Sequence, residues 1–465
     1  MAQIRFAGRE GEHIELTRSA LDLLDDGLDG RLIRRGADSY DKARQVWNGM
    51  VDKRPAAIAY CASESDVTTT VDFALGEGVA VSVRSGGHNI VGNCLCEDGL
   101  VIDLSAMKRV EVDPDQGLAR AEAGLLLGEF DTATQMHGLA TTMGVNTITG
   151  IAGLALGGGI GRLGRKHGLS CDNLASAQLV TADGRVLTAN SDENADLYWA
   201  LRGGGGNFGI VTRFDYRVWP VGPNIFGGSL VYDYCQARNV LRFLRDRFTN
   251  AADELDIDLV LLTMPEGEKV LVLSVCYAGS IGDGERLLAP LRAFGSPLAD
   301  QLEPIPYLEI QASIDHLWLR GRRYFWKANF LRELTDAAID SFVDGFADVP
   351  SPLSLAVLQQ VGGAISRVPA TATAFWNRDA AYDCFPVSVW LTPEEDERNI
   401  AWARQFWLEM HPHSTGGVYV NNLGDEGGDR VRAAYGDNYD RLVEVKRRYD
   451  PGNLFRYNQN IRPNS

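Results

Sequence analysis

Arg84-Ser85-Gly86-Gly87-His88-Asn89 is the stretch on which the reading of this chain turns. It follows Val79-Ala80-Val81-Ser82-Val83, an apolar run whose alternation reads as a buried strand. A strand that opens into Arg-Ser-Gly-Gly presents bare backbone N–H groups, with no Cβ in the way and a guanidinium beside them. That combination suits a diphosphate. A histidine at the end of the loop can reach whatever the diphosphate carries. The loop therefore points to a dinucleotide and to redox chemistry.

Upstream, residues 63–78 read as a helix, with Ser63 or Ser65 as cap and Gly76 and Gly78 at its close. Downstream, Leu100-Val101-Ile102-Asp103-Leu104 reads as a second strand, which makes a strand–helix–strand rhythm with parallel or mixed pairing. Residues 144–164 are dense in glycine. Ser176 to Ala182 and Arg185 to Thr188 flank Asp183-Gly184, a hairpin signal. Asp192 to Leu201 reads as a short helix capped by Ser191 and stopped by the glycines at 203–206, before a strand from Phe208 to Val218.

From about 219 the texture changes. Amphipathic segments at 235–249, 335–348 and 393–410 alternate with strand-like runs at 258–264, 269–276, 355–361 and 385–391. This resembles a sheet covered by helices on one face. Past 415 the chain returns to glycine and polar turns, with a helix near 428–448.

Length and charge bound the function. A chain of 465 residues exceeds one ordinary core. A net charge of −17 repels nucleic acid and anionic membrane and suits a small-molecule substrate. No apolar run is long enough to span a bilayer, and the N-terminus lacks a basic segment followed by an apolar one, so a cytoplasmic protein is expected. Seven scattered cysteines fit free thiols in a reducing compartment. Cys94-Leu95-Cys96 lacks the second pair that a zinc site needs, so no metal is expected.

Other motifs carry two readings each. Gly159-Ile160-Gly161-Arg162-Leu163-Gly164 is formally GxGxxG, but small apolar residues precede it rather than a β-branched strand. Packed backbone against a ligand is the better reading, and a nicotinamide-dependent Rossmann enzyme the alternative. Tyr324, Trp326, Lys327, Gln359, Gln360, Arg367 and Arg378 are residues unusual for buried strands. The plain reading of each is a surface or internally satisfied group.

Taken together, Arg84 to His88, Gly150 to Gly161, Arg165 to Leu174, Arg202 to Gly209 and the closing Asn458-Gln459-Asn460-Ile461 resemble the berberine bridge enzyme-like flavoproteins. These belong to the vanillyl-alcohol oxidase and p-cresol methylhydroxylase superfamily. The resemblance runs from about 38 to 463. It implies an α+β fold with a split FAD-binding domain of the p-cresol methylhydroxylase type, formed by residues 1–218 and 415–465. A substrate domain, an antiparallel sheet covered by helices, is inserted at 219–414.

The resemblance also implies site residues. His88 matches the histidine joined covalently to the 8α-methyl of FAD. Many members add a bond from cysteine in a Gly-Val-Cys-Pro motif; here Gly144-Val145-Asn146-Thr147 places Asn146 there, so a single bond is expected. Arg84, Ser85, Gly86, Gly87 and Asn89 are expected at the diphosphate. Asn146, Thr147, Thr149, Gly150, Gly153, Gly157, Gly158 and Gly161 are expected along the ring and ribityl chain. Ile210 is expected near the adenine, and Asn421, Tyr457, Asn458 and Asn460 over the ring. Family members with a Tyr-x-Asn-Tyr motif use its last tyrosine as base; the match here is Tyr419-Val420-Asn421-Asn422. Asn422 takes no proton at neutral pH, which leaves Lys327, Tyr324, Gln360 and Arg367 as candidate catalytic or orienting groups. Hydride transfer from a small alcohol or amine to the flavin is expected, with O2 as acceptor, in a monomer or homodimer. A dehydrogenase using another acceptor, and a flavin-binding protein without catalysis, are the alternatives.

Overall fold

The computed structural model of the chain describes residues 3–464. Three sheets position the site. The first runs in the order Arg31–Arg34, Ala57–Tyr60, Leu100–Asp103, Val81–Arg84. Its last three strands are parallel. Parallel neighbours need a crossover, which the helix Glu64–Glu77 supplies. Ser63 caps it by accepting from Asp66 N at 3.2 Å, and Gly78 closes it in the left-handed region at φ 72°.

The second sheet is antiparallel along its length, in the order Val186–Asn190, Leu174–Val180, Ile210–Arg217, Leu118–Glu122, Val110–Asp113. Asp183-Gly184 forms its hairpin, with Val180 opposite Val186. The helix that follows differs from the sequence reading. It spans Ala195–Leu201 and starts after Asn194, with no side-chain cap. Asn190 Oδ1 takes the N–H groups of Asp192 and Glu193 at 2.8 Å each. That turn consumes the residues Ser191 was expected to cap.

The third sheet is antiparallel, running Ala299–Asp300, Asn224–Asp233, Lys269–Tyr277, Leu255–Thr263, Leu355–Gln360, Tyr382–Trp390, Arg323–Trp326. Leu241, Phe342 and Phe406 of its covering helices pack on Leu259, Leu273 and Leu358. The period of two sends Asp258, Val260, Ser274, Val357 and Phe385 to the opposite face, where they line a cavity. The sequence reading missed the helix Ile281–Arg292 and the strand Asn224–Asp233. Pro290 sits inside that helix, and Gly227-Gly228 inside that strand, so the local signal is weak in both. The segment expected as one helix near 428–448 is two, Gly428–Tyr435 and Tyr439–Tyr449. Gly436, at φ 50°, breaks it where a Cβ would lie 2.2 Å from the Trp376 ring.

The formal GxGxxG follows the helix Ile151–Leu156 rather than a strand. Its tightest approach is to protein: a Cβ on Gly161 would lie 1.6 Å from Met143 O. Gly161→Ala is expected to cost about 3 kcal/mol, the upper end of overpacking. Urea unfolding checks this, and a loss below about 1 kcal/mol would refute it.

The tail is clasped rather than laid on the surface. Lys446 Nζ, fully buried, donates to Asn207 O (2.8 Å), Asp450 Oδ2 (2.7 Å) and Phe455 O (2.9 Å). Asp450 in turn accepts from Leu454 N and Phe455 N. Asn207 Oδ1 accepts from Ile461 N at 3.0 Å. All seven cysteines are free thiols, six of them buried. Among the described residues no helix is long and apolar enough to cross a membrane.

Candidate active site

The loop 85–89, the segment 144–162, residues 205–211, one face of the third sheet and the tail near 455–459 enclose a cavity of about 390 Å³. Two glycines let its first two walls meet. A Cβ on Gly86 would sit 2.4 Å from Gly150 N, and one on Gly150 would sit 2.5 Å from Gly86 N. Ser85, Gly86, Gly87, His88 and Asn89 all line the cavity. So do Asn146, Thr149, Gly150 and Gly153, together with Ile210, Asn421, Tyr457 and Asn458.

Several of these carry enclosed polar atoms with no protein partner. His88 Nε2, Asn146 Nδ2 and Asn458 Oδ1 are buried and unbonded. A buried orphan costs about 1–3 kcal/mol, so three around one cavity, each from a different wall, fit a ligand bearing its own donors and acceptors. His88 stacks on Trp47, ring centroids 4.3 Å apart. Burial, and after it the Arg320 guanidinium, push its pKa down to about 3. The imidazole is therefore neutral near pH 7, with a free lone pair for bond formation.

Other expected cofactor residues lie outside the cavity wall. Arg84 is turned away: its Nε pairs with Asp103 and its Nη2 donates to Tyr60 Oη at 3.3 Å. A buried guanidinium needs its carboxylate more than an external anion. Thr147 is bonded to Asp315 through its N–H (3.0 Å) and its hydroxyl. Gly157, Gly158 and Gly161 face protein, their Cβ positions falling on Asn421, Phe375 and Met143. Asn460 stands behind the wall with a buried, unbonded Oδ1.

Of the expected catalytic groups, only Asn422 lines the cavity. Tyr324 is buried behind it, its ring 3.8 Å from that of Trp47 and its hydroxyl bonded to Leu319 O at 2.7 Å. Lys327 pairs with Glu426 at 2.7 Å and lies over the Trp407 ring. Gln360 Oε1 accepts from Ile257 N at 2.9 Å. Arg367 is exposed and pairs with Asp253 at 2.5 Å. Each of the four has a structural partner that removes it from the cavity.

Of the polar groups that the sheet does present, the sequence reading noted Gln359 as out of place and passed over Asp258 and Ser274. Asp258, Ser274 and Gln359 line the cavity opposite Arg162, which donates to Ser274 Oγ at 2.9 Å. Trp318, Trp326, Val357 and Phe385 form the apolar side. Asp383 lies behind Asn422, whose Nδ2 donates to Asp383 Oδ2 at 2.6 Å. Burial raises Asp258, and raises Asp383 to about 7. The signal was available: a charge inside an apolar strand, as in Leu255-Asp256-Ile257-Asp258-Leu259 or Tyr382-Asp383-Cys384-Phe385, is a functional hint in its own right.

Known proteins share this arrangement. Residues 55–190 match a family model described as an FAD binding domain, and residues 418–462 one described as berberine and berberine like. (R)-6-hydroxynicotine oxidase of Paenarthrobacter nicotinovorans is 30% identical, over 94% of this chain and 97% of its own. Xylooligosaccharide oxidase of Thermothelomyces thermophilus is 28% identical, over 92% and 91%. The crystal structure of 6-hydroxy-D-nicotine oxidase from Arthrobacter nicotinovorans superimposes with a TM-score of 0.87 at 27% identity, over 94% of this chain and 98% of the other. With likeness spread over nearly the whole of each chain, this chain belongs to the berberine bridge enzyme-like family and is an FAD-dependent oxidoreductase.

Proposed function

We propose that the chain is an oxidase that carries FAD on a single covalent bond to His88 and oxidises a small alcohol or amine. Bound FAD would supply the hydride acceptor for a substrate C–H and the route of the electron pair to O2, which would leave as H2O2. The observation that carries the reading is His88: neutral, stacked on Trp47, on the cavity wall, with Nε2 unbonded. The chain's own residues do the rest. Residues 85–89 and 149–153 would hold the diphosphate and ring by backbone contacts, Ile210 would lie toward the adenine, and Asn421, Tyr457 and Asn458 would close over the ring. The apolar side formed by Trp318, Trp326, Val357 and Phe385 excludes water from the reacting C–H. The cavity walls support a division of labour in which 1–218 and 415–465 hold the cofactor and 219–414 the substrate. The free, mostly buried thiols support a reducing, cytoplasmic setting.

The test is an absorbance spectrum before and after acid precipitation, with the mass of the intact chain. Flavin colour in the pellet and a mass gain of one FAD support the reading. Colour in the supernatant removes the tether, and a colourless preparation that stays colourless after FAD is added removes the cofactor. Peroxide release during turnover separates the oxidase from a dehydrogenase of the same fold.

Asn146 lines the same cavity with Nδ2 unbonded. Asn146→Cys is expected to create a second bond to the flavin, seen as a shifted flavin spectrum and a flavopeptide linked at both residues. An unchanged spectrum and peptide would show that position 146 does not face the flavin ring.

A further inference from the structure

Asn422 stands where a Tyr-x-Asn-Tyr motif would end in tyrosine, and Asp383 explains what an amide can do there. Asp383 sits on the strand Tyr382–Trp390, fully enclosed, on the pleat face opposite that of Cys384. Its cross-strand partners are Phe330 on one side and Gln359 on the other. None of these neighbours is charged, and Asn422 is the group that bonds to it. A carboxylate only accepts hydrogen bonds, so an ionised Asp383 holds the Nδ2 end of Asn422. Asn422 itself lines the cavity, and among the described residues no donor reaches its Oδ1.

We propose that Asp383 is a positioning residue that decides which end of the Asn422 amide meets the substrate. With Asp383 ionised, Asn422 keeps its N–H on the carboxylate and turns its carbonyl to the cavity, where it accepts from a substrate O–H or N–H beside the C–H to be oxidised. With Asp383 protonated, the carboxyl donates to Asn422 Oδ1 and the amide presents N–H instead. Recognition at position 422 therefore inverts with the protonation of one carboxyl. Burial places that change near neutrality, since it lifts Asp383 to about 7, with Asn422 pulling the other way. Above that pH the cavity selects hydrogen-bond donors, and below it the preference fades. This rests on the proposed substrate cavity.

Two measurements on the holoprotein test it. The first needs no substrate: the side-chain amide resonance of Asn422, in protein isotope-labelled at asparagine and assigned by its loss in Asn422→Leu, followed from about pH 5 to about pH 9. It is expected to move with a midpoint near 7 and to stay fixed in Asp383→Asn. A resonance that never moves, or that still titrates in Asp383→Asn, overturns the proposal. The second compares phenol with anisole, which lacks the donor, by the perturbation each causes in the flavin spectrum. Phenol is expected to bind roughly tenfold more tightly at high pH, the effect of one hydrogen bond. The preference is expected to disappear at low pH and in Asn422→Leu. Equal binding, or no response to phenol, overturns the recognition step. Should Asp383→Asn fail to fold, Asp383→Glu takes its place: the Asn422 resonance is expected to titrate with a displaced midpoint, and an unchanged midpoint overturns the proposal. A protein without flavin would refute the proposed cofactor instead, and would leave the resonance test standing.

Discussion

Replacing His88 with Ala is expected to abolish the mass gain of one FAD and to move flavin colour from the acid pellet to the supernatant. The effect is expected to be all-or-none because Asn146 supplies no sulfur, and the thiols of Cys94, which lines the cavity, and Cys171 are buried and pushed toward the neutral form. The fold should survive. His88 contributes one face of a stack whose other face, Tyr324 on Trp47, stays in place with centroids 3.8 Å apart. The cavity walls otherwise meet through backbone at Gly86 and Gly150. Flavin retained in the pellet of His88→Ala would place the tether on another residue.

The second large effect is expected far from the chemistry. Lys446→Met should destabilise the protein by about 3–5 kcal/mol, because it strands a buried carboxylate. Asp450 is fully enclosed, and among the described residues Lys446 is its one cationic partner. The same ammonium donates to Asn207 O and Phe455 O, so its loss frees the tail from the residues that follow the 203–206 glycines. Urea unfolding of the apoprotein gives the stability, and loosened flavin, seen as raised fluorescence, gives the consequence at the cavity. A loss under about 1 kcal/mol would mean that the clasp is ornamental.

The contrast between these two sites marks what the sequence could and could not tell. That residues 85–89 form a cavity wall was readable because the signal is local: glycines remove side chains, and the histidine follows at once, whereas Arg84 turns to Asp103. The antiparallel sheet and its three long helices were readable because period two and period 3.6 are written along each segment. Lys327 was not, because what disarms it is Glu426, which joins it only once the tail has folded back. Tyr324 was misread for the same reason, its partner Trp47 lying in another region of the chain. The glycines at 157, 158 and 161 were assigned to a ligand, whereas their close neighbours are side chains and backbone of the protein itself. Glycine reports that something approaches closely, without reporting what. Asp258 and Asp383 were passed over because their strands were judged on apolar content, although an acid in such a run is the more telling residue.

The tail clasp has a further consequence for how the protein comes into being. Asn93 Nδ2 reaches Asn458 O across 365 positions of chain. A ribosome delivers these two walls in order, so the parallel sheet and the 85–89 loop emerge long before 455–459 exist to cover them. Nascent chains stalled before the helix Tyr439–Tyr449 should hold no flavin even where the N-terminal sheet has formed. Cofactor capture is thereby made a late event of biosynthesis, and a polypeptide cut short by a premature stop would be released without a pocket in which to begin redox chemistry.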